Sequence, residues 1–447
     1  MRKRTKIIAT LGPSSSSSKV ITNLIKEGTD VFRINLSHAS VDQIAKVISI
    51  LKSASNKLNR PIATLIDLQG QKIRITGFKT KKFIQLKSNA TFILDAALPK
   101  DNGNQKSVGL TYKKLPAHLD IGDELLLSDA LIKLEVIKVE KSKIYTKVLR
   151  GGKLKPYQGI NKKGGGLSLQ GITDKDIKEL KEAIKLDIDY VAVSFVRDAK
   201  DIKSIKKIIG KKPIGIIAKI ERSEALDNID EIAKISDGLL VARGDLGVEI
   251  GIEQLPAVQD KLIRKAISYD KIIIVATQMM ESMINSRVPT RAEVFDVANA
   301  VTSGVDAIML SAETAIGRYP VDVIQEASRI CEIAERTNRK NLNIIRQEKE
   351  FMSVDQIIAM AAVYSAGKSN IKAIAALTET GSTPLWMSRI QSTIPIYAMT
   401  QNDKTSRRIC LLKGVYSIRL KTIEHIHAEA NKQVIDLMLE KGAVKTG

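Results

Sequence analysis

Ile216-Ile217-Ala218-Lys219-Ile220-Glu221 is a short apolar run that closes on a lysine and a glutamate. A run this short and this apolar fits a strand buried on both faces, as in a parallel sheet covered by helices. Seven more runs have the same character, at residues 6–10, 30–35, 62–67, 190–195, 239–245, 272–277 and 307–311. Each closes on polar or charged residues, among them Thr10, Asn35, Asp67, Ser194, Asp245, Thr277 and Ser311. Eight such runs separated by helical pattern predict a closed (β/α)8 (TIM) barrel, whose active site gathers at the carboxyl ends of its strands.

The segments between the runs carry helix start and stop signals. Ser40-Val41-Asp42-Gln43 reads as a capping box, and Ile44, Val47, Ile48 and Leu51 follow on one face. Thr290-Arg291-Ala292-Glu293 is a second box, with Gly304 placed to end its helix. Asp198 precedes Ile202, Ile205 and Ile209, with Gly210 as the stop.

The strand–helix alternation breaks after the third run. Phe83–Leu86, 91–94, 124–127 and 133–137 read as short alternating strands punctuated by turns such as Asn102-Gly103. A β-barrel-like lid domain at 70–169 is therefore expected to interrupt a barrel domain at 1–69 and 170–345. Gly151-Gly152 and Gly164-Gly165-Gly166 supply hinge material. From 346 to 447, apolar runs at 373–377, 394–399 and 415–418 alternate with helical pattern, which predicts a small C-terminal α/β domain.

A chain of 447 residues exceeds one ordinary core, in keeping with several domains. Cys331 and Cys410 are far apart and form neither a disulfide framework nor a metal pair, which points to a reducing, cytoplasmic compartment. No run has the length of a membrane span, and the basic N-terminus lacks the apolar core of a signal peptide. The net charge is +22, yet the lysines are scattered and aromatics make up only 4%. Stacking platforms are thus scarce, and no nucleic-acid or membrane partner is expected. A field of this sign steers small anions instead.

Glu221 and Asp245 close neighbouring strands, so their carboxylates are expected to converge on Mg2+ (or Mn2+), which keeps its other positions for water and phosphate. Lys219 lies two residues before Glu221, and the pleat points both the same way. With Arg33 and Arg74 from other strand ends, a cationic pocket for a transferring phosphoryl group results.

These residues sit in motifs that resemble the pyruvate kinase family: Arg33-Ile34-Asn35-Leu36-Ser37-His38, Lys219-Ile220-Glu221-Arg222 and Ala242-Arg243-Gly244-Asp245-Leu246-Gly247. Ala276-Thr277-Gln278-Met279-Met280-Glu281-Ser282-Met283, followed by Pro289-Thr290-Arg291-Ala292-Glu293, resembles the family's signature region. The resemblance runs from residue 4 to about 420, interrupted only in the β insert. It implies phosphoryl transfer from phosphoenolpyruvate to ADP, giving pyruvate and ATP, by a homotetramer. It also implies that Glu221 and Asp245 bind Mg2+, and that Lys219 and Arg33 hold the phosphoryl group. The Gly244 and Asp245 amides would hold the substrate carboxylate. Thr277 would lie by the enolate methylene, and Asn35, His38 and Arg74 near the nucleotide. By the same resemblance Asn35, Ser37, Asp67 and the Leu68 carbonyl would coordinate K+.

Several positions depart from the family pattern. Leu68, Gln69 and Lys72 stand where many members carry threonine, lysine and glutamate. Lys72 resembles the subgroup that needs no monovalent cation, its ammonium supplying the single charge, so K+-independent activity is expected. Tyr157 and Gln158 replace basic residues, which implies weaker nucleotide contact from the lid. Ala312 replaces a glycine, a mild change unless the backbone needs a positive φ. Thr378-Glu379-Thr380-Gly381-Ser382-Thr383 only partly matches the family's effector loop, and by the resemblance the pattern would continue for two more strands past Lys445-Thr446-Gly447. No complete effector site is expected, and the short sheet leaves an edge open. His425 and His427 point to different helix faces and make a poor metal pair.

Two other functions compete with this one. A barrel performing carbon–carbon chemistry on an Mg2+-enolpyruvate has no need of a nucleotide lid or of Lys219. A basic nucleic-acid binder or a degenerate, regulatory kinase is disfavoured because every expected catalytic position is filled.

Overall fold

The computed structural model describes residues 3–36, 41–80, 82–167, 171–337, 353–390, 392–420 and 427–444, the side chains of 427, 428 and 430 excepted. The first three apolar runs form β1 (Lys6–Thr10), β2 (Val31–Asn35) and β3 (Ala63–Asp67). The chain then enters short strands: β4 (Ile84–Leu86), β5 (Thr91–Asp95), β6 (Ser107–Gly109), β7 (Glu124–Leu127), β8 (Ile132–Glu140), β9 (Lys143–Arg150), β10 (Gly152–Leu154) and β11 (Ile160–Lys162). It returns with β12 (Tyr190–Val193), β13 (Gly215–Ile220), β14 (Gly238–Ala242), β15 (Ile272–Ala276) and β16 (Ala307–Leu310), and ends with β17 (Ile374–Leu377), β18 (Ile396–Thr400) and β19 (Val415–Arg419).

Eight strands close into one parallel barrel in the order β1-β16-β15-β14-β13-β12-β3-β2. All eight expected runs are in it. Within each strand the side chains alternate between two cores. Ile7, Phe32, Ile66, Val191, Ile216, Leu239, Ile273 and Ile308 pack outward with the helices. Ile8, Val31, Leu65, Ala192, Ile217, Leu240, Ile274 and Met309 pack in the lumen. The period of two carries this inward series on to Thr10, Arg33, Asp67, Ser194 and Lys219 at the carboxyl ends. Parity is what brings those polar groups together.

The insert between β3 and β12 holds a six-stranded sheet, β11-β7-β8-β9-β5-β6, and a two-stranded one, β10-β4, around their own apolar core. Its pairings are antiparallel except β5 with β6. The run at 133–137 extends into the longer β8, where a register shift between Val136 and Lys138 interrupts the alternation. The three strands β17-β18-β19 form a parallel sheet against which helices pack, and Leu377 on β17 is exposed.

Helix signals held where they are described. Thr290 and Glu293 complete a capping box on Arg291–Thr302, and Asp198 caps Ala199–Ile209, which stops at Gly210. Ser40 of the other expected box lies outside the described residues, as does His425. Ala312 needs no positive φ and begins a short helix, so its replacement of glycine is mild. No helix among the described residues is long and apolar enough to cross a membrane.

At the floor of the barrel a four-fold pattern joins the domains. Asp30, Asp189, Asp237 and Asp306 each immediately precede an inward-starting strand. One carboxylate oxygen of each accepts the amide of the neighbouring strand, from Ile7, Thr64, Ile216 and Ile273 at 2.7–3.0 Å. The other oxygens of three meet basic residues of the C-terminal region: Arg407 on Asp189, Arg408 near Asp237, and Arg389 on Asp306.

Candidate active site

Arg33 ends the inward series of β2 and Asp67 that of β3. Their strands pair in register, with Asn35 opposite Asp67. The Arg33 Nε donates to Asp67 Oδ2 at 2.6 Å, and Nη1 donates to Thr10 Oγ1 at 3.1 Å. Asp67 is buried, which opposes its ionisation, but Lys219 and Arg33 beside it more than offset this and hold its carboxyl below the usual range.

Lys219 reaches into the same space from β13. Its Nζ lies 2.8 Å from Ser194 Oγ, 3.1 Å from Glu221 Oε1 and 3.3 Å from Asp67 Oδ1. Burial works against the ammonium, yet the carboxylates of Asp67 and Glu221 prevail and raise its pKa above the ordinary lysine value. Lys219 is therefore a fixed positive charge. Glu221 goes the other way: burial and the nearby Asp245 carboxylate raise its pKa, against the pull of Lys219 and of the Phe195 amide, which donates to Oε2 at 2.7 Å. Phe195 sits at φ 54°, the turn that aims this amide.

Asp245 lies in the first turn of the helix Arg243–Ile250, and its Oδ1 takes the Lys72 ammonium at 2.6 Å. The Gly244 amide of that turn donates to Thr277 Oγ1 at 2.8 Å, while Thr277 donates to the Ala276 carbonyl at 2.6 Å. Thr277 is held at φ 71° just beyond β15. Arg243 braces the turn from behind, with Nη1 2.6 Å from Asp296 and Nη2 2.7 Å from the Thr277 carbonyl. Gly70 has no substitute here: φ is +64°, and a Cβ would come within 2.8 Å of the Phe195 ring.

A cavity of about 230 Å3 opens at this point, and Arg33, Asn35, Asp67, Lys72, Lys219, Glu221 and Asp245 all line it, as do Leu68 and Arg74. Arg74 Nη1 donates to the Tyr157 carbonyl of the insert at 3.0 Å. Thr277 and Gly244 are not in the lining and join the site through Asp245's helix turn. Ser37 and His38 lie outside the described residues. Larger clefts, about 440 and 1260 Å3, lie by Arg60 and Arg419 at the floor of the barrel, away from the converged carboxylates. Chemistry, not size, selects the smaller cavity.

Motif reading gave no role to Thr10, Ser194 or the Phe195 amide, although Thr10 and Ser194 stand among the strand-closing residues. The signal for the two hydroxyls was present, since both continue an inward series. The Phe195 amide depends on a left-handed turn that no residue preference announces.

The comparisons with known proteins agree with this geometry. Residues 2–324 match the family model described as pyruvate kinase, barrel domain, and residues 356–447 match pyruvate kinase, alpha/beta domain. A pyruvate kinase from Buchnera aphidicola subsp. Schizaphis graminum is 46% identical over 98% of this chain and 92% of its own length. One from Haemophilus influenzae is 43% identical over 100% of this chain and 94% of its own. A crystal structure of a pyruvate kinase from Cryptosporidium parvum superposes with a TM-score of 0.93 at 32% identity, covering 100% of this chain and 92% of that one. An eight-stranded parallel barrel carrying a converged lysine and paired carboxylates at its mouth, matched end to end in this way, belongs to the pyruvate kinase family, phosphotransferases of glycolysis.

Proposed function

We propose that the mouth of this barrel transfers the phosphoryl group of phosphoenolpyruvate to ADP, with Lys219 as the catalytic cation. The observation that carries this reading is the single buried ammonium shared by Asp67, Glu221 and Ser194 at the cavity wall. The phosphorus–oxygen bond of phosphoenolpyruvate breaks, and a β-phosphate oxygen of ADP takes the phosphoryl group. Lys219 and Arg33 face the charge that spreads over the equatorial oxygens as this happens. The enolate left behind takes a proton at its methylene carbon near Thr277 and becomes pyruvate.

The donor set suits Mg2+ or Mn2+. Two carboxylates, Glu221 and Asp245, line one cavity, and burial together with their mutual repulsion disfavours ionised Glu221 without a cation. Mg2+ is commonly held by one or two carboxylates plus substrate oxygens. When bound, it supplies Lewis-acid neutralisation of substrate oxygens. Lys72 occupies Asp245 in this structure, so metal binding at that carboxylate requires Lys72 to yield. The Gly244 amide, now on Thr277, exchanges to the substrate carboxylate together with that of Asp245 at the helix start. Arg74 and Asn35, which line the cavity, serve the nucleotide, with His38 assigned by resemblance alone.

Lys72 places a side-chain ammonium in the same cavity as Asn35, Asp67 and Leu68, which supports activity without K+. A homotetramer is supported by exposed apolar side chains on barrel helices, Phe295 and Ile333 among them. A cytoplasmic site accords with the free, buried thiols of Cys331 and Cys410.

An assay of pyruvate formation from phosphoenolpyruvate, ADP and Mg2+ tests the reading. The Lys219→Met variant is expected to lose turnover by about a thousandfold or more while still binding phosphoenolpyruvate by calorimetry. Near-normal turnover would refute the assignment of Lys219.

A further inference from the structure

We infer that Ser194 is a positioning residue for Lys219, its hydroxyl oxygen fixing where the ammonium points. The inference rests on the reading of Lys219 as the catalytic cation and adds the group that aims it.

Ser194 is buried and continues the inward series of β12. Among the described residues its Oγ is the nearest acceptor to Lys219, at 2.8 Å against 3.1 and 3.3 Å for the carboxylates. An ammonium has no lone pair, so in this contact lysine donates and serine accepts. The hydroxyl has one proton to place. The Leu68 carbonyl lies 2.6 Å away and Asp67 Oδ1 3.4 Å away, so the carbonyl takes it. That carbonyl belongs to a residue whose own amide is tied to Ala192 at 3.0 Å. The backbone thus turns the hydroxyl until its lone pair faces Lys219.

Asp67 and Glu221 attract the ammonium but also offset its charge. Ser194 is neutral, and holds its direction while leaving the charge for an incoming anion. The same arrangement recurs on the other side of Asp67. Thr10 donates to the Leu310 carbonyl at 2.7 Å and accepts from Arg33 Nη1 at 3.1 Å. In both cases a strand-end hydroxyl gives its proton to a carbonyl at or just past the end of the adjacent strand and turns its lone pair to a cation of the site.

A double-mutant cycle on the full chain tests the role, using steady-state turnover of phosphoenolpyruvate and ADP with Mg2+. Ser194→Ala is expected to lower kcat by about tenfold or more with KM for phosphoenolpyruvate moved by less than about threefold. Placed on Lys219→Met, the same change is expected to cost no more than about twofold, because the group it aims is gone. Ser194→Cys keeps the bulk and a donor but offers a weak acceptor, and is expected to fall as Ser194→Ala does. Thermal melting identifies the folded variants to be read, the Cys variant standing in if the Ala variant melts early. Equal losses in both backgrounds, or near-normal kcat for Ser194→Cys, overturn the role of Ser194 while leaving Lys219 in place. Near-normal kcat for Lys219→Met removes the reading of Lys219 and the role of Ser194 with it.

Discussion

Lys72 is the residue on which the proposed independence from K+ turns. Its ammonium sits 2.6 Å from Asp245 in the cavity that Asn35 and Asp67 also line. A tethered cation costs no binding from solution, so turnover in potassium and in tetramethylammonium salts is expected to agree within about twofold. Lys72→Glu is expected to make turnover rise strongly with added K+. Steady-state rates across the two salts check both; K+-dependent wild type would contradict the role of Lys72. The site was legible at this scale wherever a charged residue ended a strand, as with Arg33, Lys219 and Glu221. It was not legible where a contact depends on backbone turns, as with the Gly244 amide on Thr277, because φ 71° at a threonine is dictated by packing and not by its own preference.

Among the elements, the helix Arg243–Ile250 carries two duties. Its first turn presents Asp245 to the cavity, and its last turn receives the end of the insert. There the Glu249 carboxylate accepts the Ser223 amide at 2.9 Å, the Gly164 amide donates to the Glu249 carbonyl, and the Gly166 amide donates to Glu224 at 2.9 Å. Burial raises the Glu249 pKa to about 7, the Ser223 amide opposing it and the Glu224 and Asp245 carboxylates reinforcing it. In the unfolded chain the group titrates near the ordinary glutamate value, so the folded state binds the extra proton between those limits. The contribution to stability is present below the unfolded pKa and is lost as pH rises towards and through 7. Glu249→Gln removes that loss. Its melting temperature is expected to gain on wild type between pH 5 and pH 8, by an increment equivalent to about 3 kcal/mol at most. Melting curves that stay parallel across that range would show that Glu249 does not titrate as described. The insert itself was legible as a break in the strand–helix alternation, but its docking onto Ser223 and Glu249 was not, since glycines at 164–166 announce a turn and no partner.

For the whole molecule, the barrel floor is where buried charges tie the C-terminal region to the barrel. Arg389 and Asp306 are almost fully buried, and Arg389 also donates to the Lys271 carbonyl at 2.6 Å, while the Lys413 amide donates to Asp306 at 3.0 Å. Removing the carboxylate leaves a buried guanidinium without its charge partner, at a cost of about 3–5 kcal/mol. Asp306→Ala is thus expected to lower the unfolding free energy by that amount in a denaturant titration, and a change under about 1 kcal/mol would contradict the pairing. The barrel was legible from its eight runs because near-continuous apolar strands have few other homes, whereas the aspartates before β2, β12, β14 and β16 belong to no motif and gain their common role only when the fold sets them side by side. Catalysis at this barrel mouth, as proposed, requires Glu221 and Asp245 to hold one divalent ion beside Lys219. Titration of Mn2+ followed by electron paramagnetic resonance addresses this directly, in wild type and in the Glu221→Gln, Asp245→Asn double variant. A saturable site is expected in wild type and its loss in the double variant; unchanged Mn2+ binding in that variant would contradict the shared ion.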